Sequence, residues 1–224
     1  VRAPANMKLK QWVIGAALSQ RYQEGVHNKQ AKDAKDFADW IKTDSANSRP
    51  DWLEDVSIPP LRKIGTKGAV SNLLRCLMNE HHLKDPVTGD DVSFGTAGSH
   101  AHHIFPKKFV GKIPGWNEKA GDNADVFLNL MQLTAATNSS FLNDDPCQQV
   151  AAAEQKTSPT LVDDAYVAQA IPVEALAILR KAAKTNEDFL NFLKLRETVF
   201  EKRLSAYGFN KSGAEIAEDD LEAA

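Results

Sequence analysis

The helical pattern of this chain is broken once, between His82 and Thr134, and that break limits the folds open to it. Before it, residues 7–26 predict a helix with Trp12, Ala16 and Ala17 on one side and Gly25 near its end. Residues 31–42 predict a second, since Phe37, Trp40 and Ile41 recur at three- and four-residue spacing. Ser48-Arg-Pro-Asp-Trp52 and Ile58-Pro-Pro60 are breakers, and a third helix over 68–83 buries Val70, Leu73, Leu74, Leu77 and Met78. Asp85-Pro-Val-Thr-Gly-Asp90 is turn chemistry. Two short strands follow, at 99–104 and 127–133, separated by a loop rich in Gly, Pro and Lys. A short helix follows Thr134, and the helical pattern returns at Pro172. Thr185-Asn-Glu-Asp188 forms a capping box for a helix whose core positions are Phe189, Phe192, Leu193, Val199, Phe200 and Leu204. The expected class is α+β, mostly α, with a small two-strand insert holding most of the unusual residues.

Charge narrows the function classes. The net charge of −3 argues against a general polyanion binder. It is unevenly spread: residues 1–70 are in positive excess and residues 71–224 in negative excess. Within the acidic part, residues 100–119 hold Lys107, Lys108, Lys112 and Lys119 against one acid, Glu118. Such a patch can serve one phosphate site or be a solvated loop. No run reaches the roughly 18 apolar residues of a membrane span, so no membrane partner is expected. Val1-Arg-Ala-Pro-Ala-Asn6 has neither a signal-peptide core nor an initiator Met, and reads as the start of a fragment or processed product. Cys76 and Cys147 are too few and too far apart for a disulfide framework or a zinc ribbon, so a reducing cytoplasm is the expected home.

The chemistry concentrates in Ser99-His-Ala-His-His-Ile-Phe-Pro-Lys-Lys-Phe109, followed by Asn129-Leu-Met-Gln-Leu-Thr134 and then Asn138. Phosphodiester hydrolysis needs a base to activate water and a cation to meet the charge on the phosphate and leaving oxygen. Adjacent histidines can divide this labour, one as base and one as metal ligand, while Asn138 supplies a neutral oxygen from a helix facing the strands. Neighbouring side chains on a regular strand point to opposite faces, so His102 and His103 can share a site only where the strand ends or bends. Pro106 favours such an ending.

His102-His103-Ile-Phe-Pro106, then Asn129, then Asn138, resembles the HNH, or ββα-metal, nuclease motif. The resemblance implies that His103 is the general base, that His102 and Asn138 are metal ligands, and that Asn129 is the middle residue bracing the loop beneath the base. Asp144 and Asp145 stand as alternative ligands. Leu9-Lys-Gln-Trp12 through Arg21-Tyr22, Asp85-Pro-Val-Thr-Gly89 and Phe189-Leu-Asn-Phe-Leu-Lys-Leu-Arg196 resemble the C-terminal half of GmrSD-type restriction endonucleases, which belong to modification-dependent and phosphorothioate-linked defence systems. The Asp-Gly-Gln-Gln-Arg motif of that family's N-terminal half does not occur here.

The resemblance implies a helical scaffold over 1–85, an HNH core over 86–150, C-terminal helices packing on the scaffold over 151–208, and an acidic, mobile tail over 209–224. It implies a DNA endonuclease using one divalent ion, Mg²⁺ or Mn²⁺, with DNA and a nucleotide-dependent N-terminal sensing half as partners. Two positions depart from the family pattern. His100 stands where an acid is common, and Ser139 stands where Arg or Lys often follows the helix Asn. Lys107 and Lys108 are therefore the expected phosphate contacts. The alternative is a non-catalytic DNA- or partner-binding helical module with a degenerate HNH core. His81 and His82 are read as closing a helix near its C-terminal dipole, and Trp116 as either a DNA contact or a packing residue.

Overall fold

A computed structural model describes residues 2–43, 49–118, 121–141 and 145–212. Lys119, Asp144 and the tail from 213 onward lie outside the described residues. The chain divides into two units, Val1–Pro60 with Glu201–Ala224, and Leu61–Phe200. Among the described residues no helix is long and apolar enough to cross a membrane.

The first unit contains α1 (Arg2–Leu18) and α2 (Val26–Lys42). Its aromatic cluster places Trp12 4.9 Å from Phe37 and 5.2 Å from Trp52, ring centre to ring centre. Asp33 is fully buried and accepts from Arg21 at 2.7 Å and from Tyr22 at 3.0 Å. A buried carboxylate so paired avoids the cost of desolvating an isolated charge. Helix α1 ends at Leu18, short of the expected 26, because Gln20 takes a left-handed backbone at φ 51°. Gly25 does not end that helix. It sits at φ 63° immediately before α2, which therefore starts earlier than expected. The tail expected to be mobile from 209 is packed at its start. Phe209 is buried, Ile58 N–H donates to Asn210 O at 2.9 Å, and Lys211 pairs with Glu201 at 3.0 Å.

The second unit holds α3 (Ala69–Asn79), β1 (Ser99–His103), α4 (Lys107–Val110), β2 (Leu130–Thr134), α5 (Ala135–Phe141), α6 (Pro146–Lys156), α7 (Pro159–Ala168) and α8 (Val173–Arg180). Most of α9 (Asn186–Ser205) belongs here too. The described residues are thus mostly helical, with one antiparallel pair of strands in which His102 faces Met131 and His103 faces Leu130. The first turn of the expected second strand, Phe127–Asn129, is a 3-10 turn. Helices α6 and α7 were not foreseen. Each begins at a proline behind a side-chain cap, Asp145 accepting from Cys147 N–H and Ser158 from Leu161 N–H.

Three polar side chains fix the strand pair. Asp85 is buried and takes Val87 N–H at 2.8 Å, Thr88 N–H at 3.0 Å, Thr134 N–H at 2.8 Å and the Thr137 hydroxyl at 2.9 Å. One carboxylate therefore closes the Asp85–Gly89 turn and anchors the start of α5. Gln169 satisfies the outer edge of β2, accepting from Gln132 N–H at 2.6 Å and donating to Gln132 O at 2.7 Å. Arg196, fully buried on α9, donates to the carbonyls of Leu128, Leu130, Gln169 and Ala170. Without these partners the edge of β2 would leave buried backbone groups unpaired. Below them, Phe105 packs on Phe189 and Phe192 at 5.2 and 5.0 Å.

Candidate functional site

Strand alternation decides the geometry of the histidine pair. His102, 5% exposed, turns inward and is buried against α5, while Ala101 and His103 line a cleft on the strand's other face. The strand ends at His103, one residue before Ile104 N–H donates to Asn129 O at 2.9 Å.

On the inner side, His102 Nδ1 lies 3.0 Å from Asn138 Oδ1, and the Phe141 ring flanks the imidazole at 5.9 Å. Asn138 is carried by α5, the helix that Asp85 anchors. Burial pushes the His102 pKa below the usual histidine range, against opposing contributions from Asn138 and Gln149. His102 is thereby held as neutral imidazole, the form that ligates a metal. Its Nε2 is buried without a hydrogen-bond partner among the described residues. An amide oxygen only accepts, so the bond to Asn138 needs the ring proton on Nδ1, and a metal held by Nδ1 would move that proton to Nε2.

On the outer side, His103 Nε2 lies 3.1 Å from Asp125 Oδ1, and Lys107 Nζ lies 3.0 Å from Asp125 Oδ2. Lys107 first, and His103 after it, hold the Asp125 carboxyl below the usual range against slight burial. An ionised Asp125 can accept from Nε2–H, and in the neutral ring that places the unprotonated nitrogen at Nδ1. The cleft measures about 450 Å³, and Asp125 and Leu130 line it beside His103.

Asn129 connects these parts. Fully buried, it donates from Nδ2 to Phe105 O and Ala124 O, and accepts at Oδ1 from Phe105 N–H, each at 2.9 Å. It ties the backbone two residues after His103 to the backbone one residue before Asp125. Its complete burial keeps it from substrate and makes it a positioning residue.

The expected residues thus form two groups, His102 with Asn138 and His103 with Lys107, the second joined through Asp125. Lys108 and Lys112 are exposed. Asp145 is not available as a ligand, because its carboxylate caps α6 and pairs with Lys184 at 2.7 Å. His81 and His82 directly follow Glu80, the C-cap of α3, and His81 N–H donates to Met78 O at 3.0 Å. Trp116 packs on Phe189 at 5.5 Å. Asp125 and Gln149 were missed, since neither stands in a motif and only the fold brings them to the imidazoles.

Among the described residues no three or more His, Cys, Asp or Glu gather as a metal cluster. The His102–Asn138 pair still fits a divalent ion in one respect. Its donor atoms are 3.0 Å apart, about the cis edge of an octahedron with bonds of about 2.1 Å. Both donors are neutral, so the pair is a partial site that phosphate oxygens and water would complete. Comparisons with protein-family models, with curated proteins and with solved structures return no match.

Proposed function

We propose that this chain is the divalent-metal-dependent HNH nuclease part of a DNA-cleaving bacterial defence protein, resembling the C-terminal half of GmrSD-type enzymes. The observation that supports it most is the pairing at successive residues of one strand end. His103 is oriented by an ionised carboxylate, and neutral His102 stands 3.0 Å from an amide oxygen. Asn129 bonds the backbone of Phe105, two residues after His103, and of Ala124, one residue before Asp125.

In this reading His103 Nδ1 takes a proton from water as the water oxygen bonds to phosphorus. The bond from phosphorus to the 3′ oxygen breaks, and that oxygen leaves as a hydroxyl after gaining a proton from solvent. Products carry 5′-phosphate and 3′-hydroxyl ends. Asp125 stabilises the imidazolium that forms, and Lys107 keeps Asp125 ionised. His102 and Asn138 would hold one Mg²⁺ or Mn²⁺, which when bound offsets charge on the phosphate and the departing oxygen. One such site cuts one strand. A nucleotide-dependent N-terminal half would supply the choice of DNA, in the cytoplasm.

The test is nicking of supercoiled plasmid by the 224-residue chain. Nicking should require Mg²⁺ or Mn²⁺, stop with chelator and be lost in His103→Ala. One observation favours a second reading, a binding module with an inactive core. His102 and Asn138 already satisfy each other, and both histidines have partners within the chain. DNA binding without nicking, under every divalent ion tried, would select that reading.

A further inference from the structure

The cleft beside His103 has a second wall that the nuclease motif does not supply. It comes from the turn before α3 and the first turns of that helix, and includes Lys67, Gly68, Asn72 and Arg75. Its charge is unbalanced. Asp125, the carboxylate on the opposite wall, is already met by Lys107. Arg75 donates to neutral oxygens, Asn72 Oδ1 at 2.8 Å and Thr66 O at 2.6 Å, and its guanidinium also lies 5.7 Å from the Phe94 and Phe127 ring centres. These partners fix the cation without neutralising it. Lys67 is exposed, and no carboxylate among the described residues is seen to pair with it. Two cations thus face a cleft of about 450 Å³, within the range of about 300–1,000 Å³ typical of ligand pockets.

We infer that this cleft is a binding groove for a DNA strand, with Lys67 and Arg75 holding the phosphodiester next to the one that faces His103. The inference rests on the nuclease reading for the identity of the strand. It assigns a role to the α3 wall that neither the histidine motif nor the Lys107–Lys108 pair carries. Gly68 suits this wall. At φ +112° it has a backbone that other residues rarely adopt, and a Cβ built there would meet no atom within 4 Å, so the wall is open at this point. Lys67 is the residue to change, because Arg75 is built into the wall and its loss would unpair Thr66 O.

The experiment measures binding of a short fluorescein-labelled duplex to the whole chain by anisotropy, in chelator, across about 50–200 mM salt. Lys67→Ala should weaken binding and reduce the slope of log affinity against log salt by about 0.9, one phosphate contact. Lys156→Ala removes the same charge outside the cleft and should leave the slope unchanged. An unchanged slope in Lys67→Ala, or an equal loss in Lys156→Ala, overturns the groove. So does displacement of the duplex by equimolar inorganic phosphate, since the cleft would then take an isolated anion. Plasmid nicking is read separately. Nicking with a Lys67-independent slope defeats the groove and spares the nuclease. A Lys67-dependent slope without nicking supports the groove and defeats the catalytic reading. Failure to bind duplex defeats the groove.

Discussion

The two faces of β1 differ more than their adjacent histidines would suggest. His102 faces side chains of α5 and α6, is buried beside half-buried Asn138 and is kept uncharged by burial. His103 faces an open, charged cleft and joins a carboxylate that a lysine keeps ionised. A period-2 strand therefore lets neighbouring residues of one type take opposite jobs, since each face sets its own dielectric and partners. In the proposed enzyme the closed face supplies a fixed neutral ligand pair, and the open face supplies the base and receives the phosphate.

The largest effect should come from the open face. His103→Ala should lower nicking by about 10² to 10⁴, the usual cost of losing a general base, while leaving the melting temperature near wild type. If the rate is lost only together with folding, the contrast between the faces is broken. On the closed face, Asn138→Ala should raise the metal concentration needed for nicking, and an unchanged metal titration would place the ligand elsewhere. Asn129→Ala should act on both faces at once. It strands the buried Phe105 N–H and two carbonyls, at roughly 1–3 kcal/mol for each group left unpaired, so stability and nicking should fall together. A stable but inactive variant would make Asn129 more than a brace.

Acid should separate the faces more gently. The His102 pKa is depressed in the folded chain, so below about 6.5 the unfolded state binds a proton that the native state does not. The neutral buried ring thus contributes stability that is whole above that value and is lost as pH falls toward the folded pKa. Urea unfolding in chelator should show stability dropping below about pH 6.5, and His102→Asn should reduce that slope. An identical slope in the variant would mean that another group carries it. The smallest effect is expected at Lys107. Its ion pair with half-exposed Asp125 is worth about 0–1 kcal/mol, so Lys107→Ala should barely move stability and should lower nicking only in part.

Much of the frame was legible in the sequence, and the reasons are local. The strands near 99 and 130 and the capping box at Thr185 announce themselves, and the latter appears as Asp188 N–H to Thr185 Oγ1 and Thr185 N–H to Asp188 Oδ2. Helix α6 did not, because its buried positions Pro146, Gln149, Val150 and Ala153 are small or polar and leave little apolar periodicity. The makeup of the first unit is not local either. It is completed by residues from Glu201 onward, and no reading of neighbouring residues brings positions that distant together. In the candidate site, His102, His103, Asn129 and Asn138 stand out in the sequence by spacing and resemblance. Asp125 lies in a loop 22 positions from its histidine, with no motif to mark it, and only the fold brings it into place. Arg196 entered only as the end of a stretch resembling GmrSD-type enzymes, and its bonds to the carbonyls of Leu128, Leu130, Gln169 and Ala170 account for its burial.

The measurement that bears most directly on the two faces acting as one site is a crystal structure of the chain with Mn²⁺ and a short DNA duplex. The account predicts anomalous density between His102 Nδ1 and Asn138 Oδ1, a phosphate oxygen completing the ion's shell, and His103 Nδ1 turned toward the same phosphate with Nε2 still on Asp125. An unbroken His102–Asn138 hydrogen bond, with the ion and the DNA bound elsewhere, would contradict it.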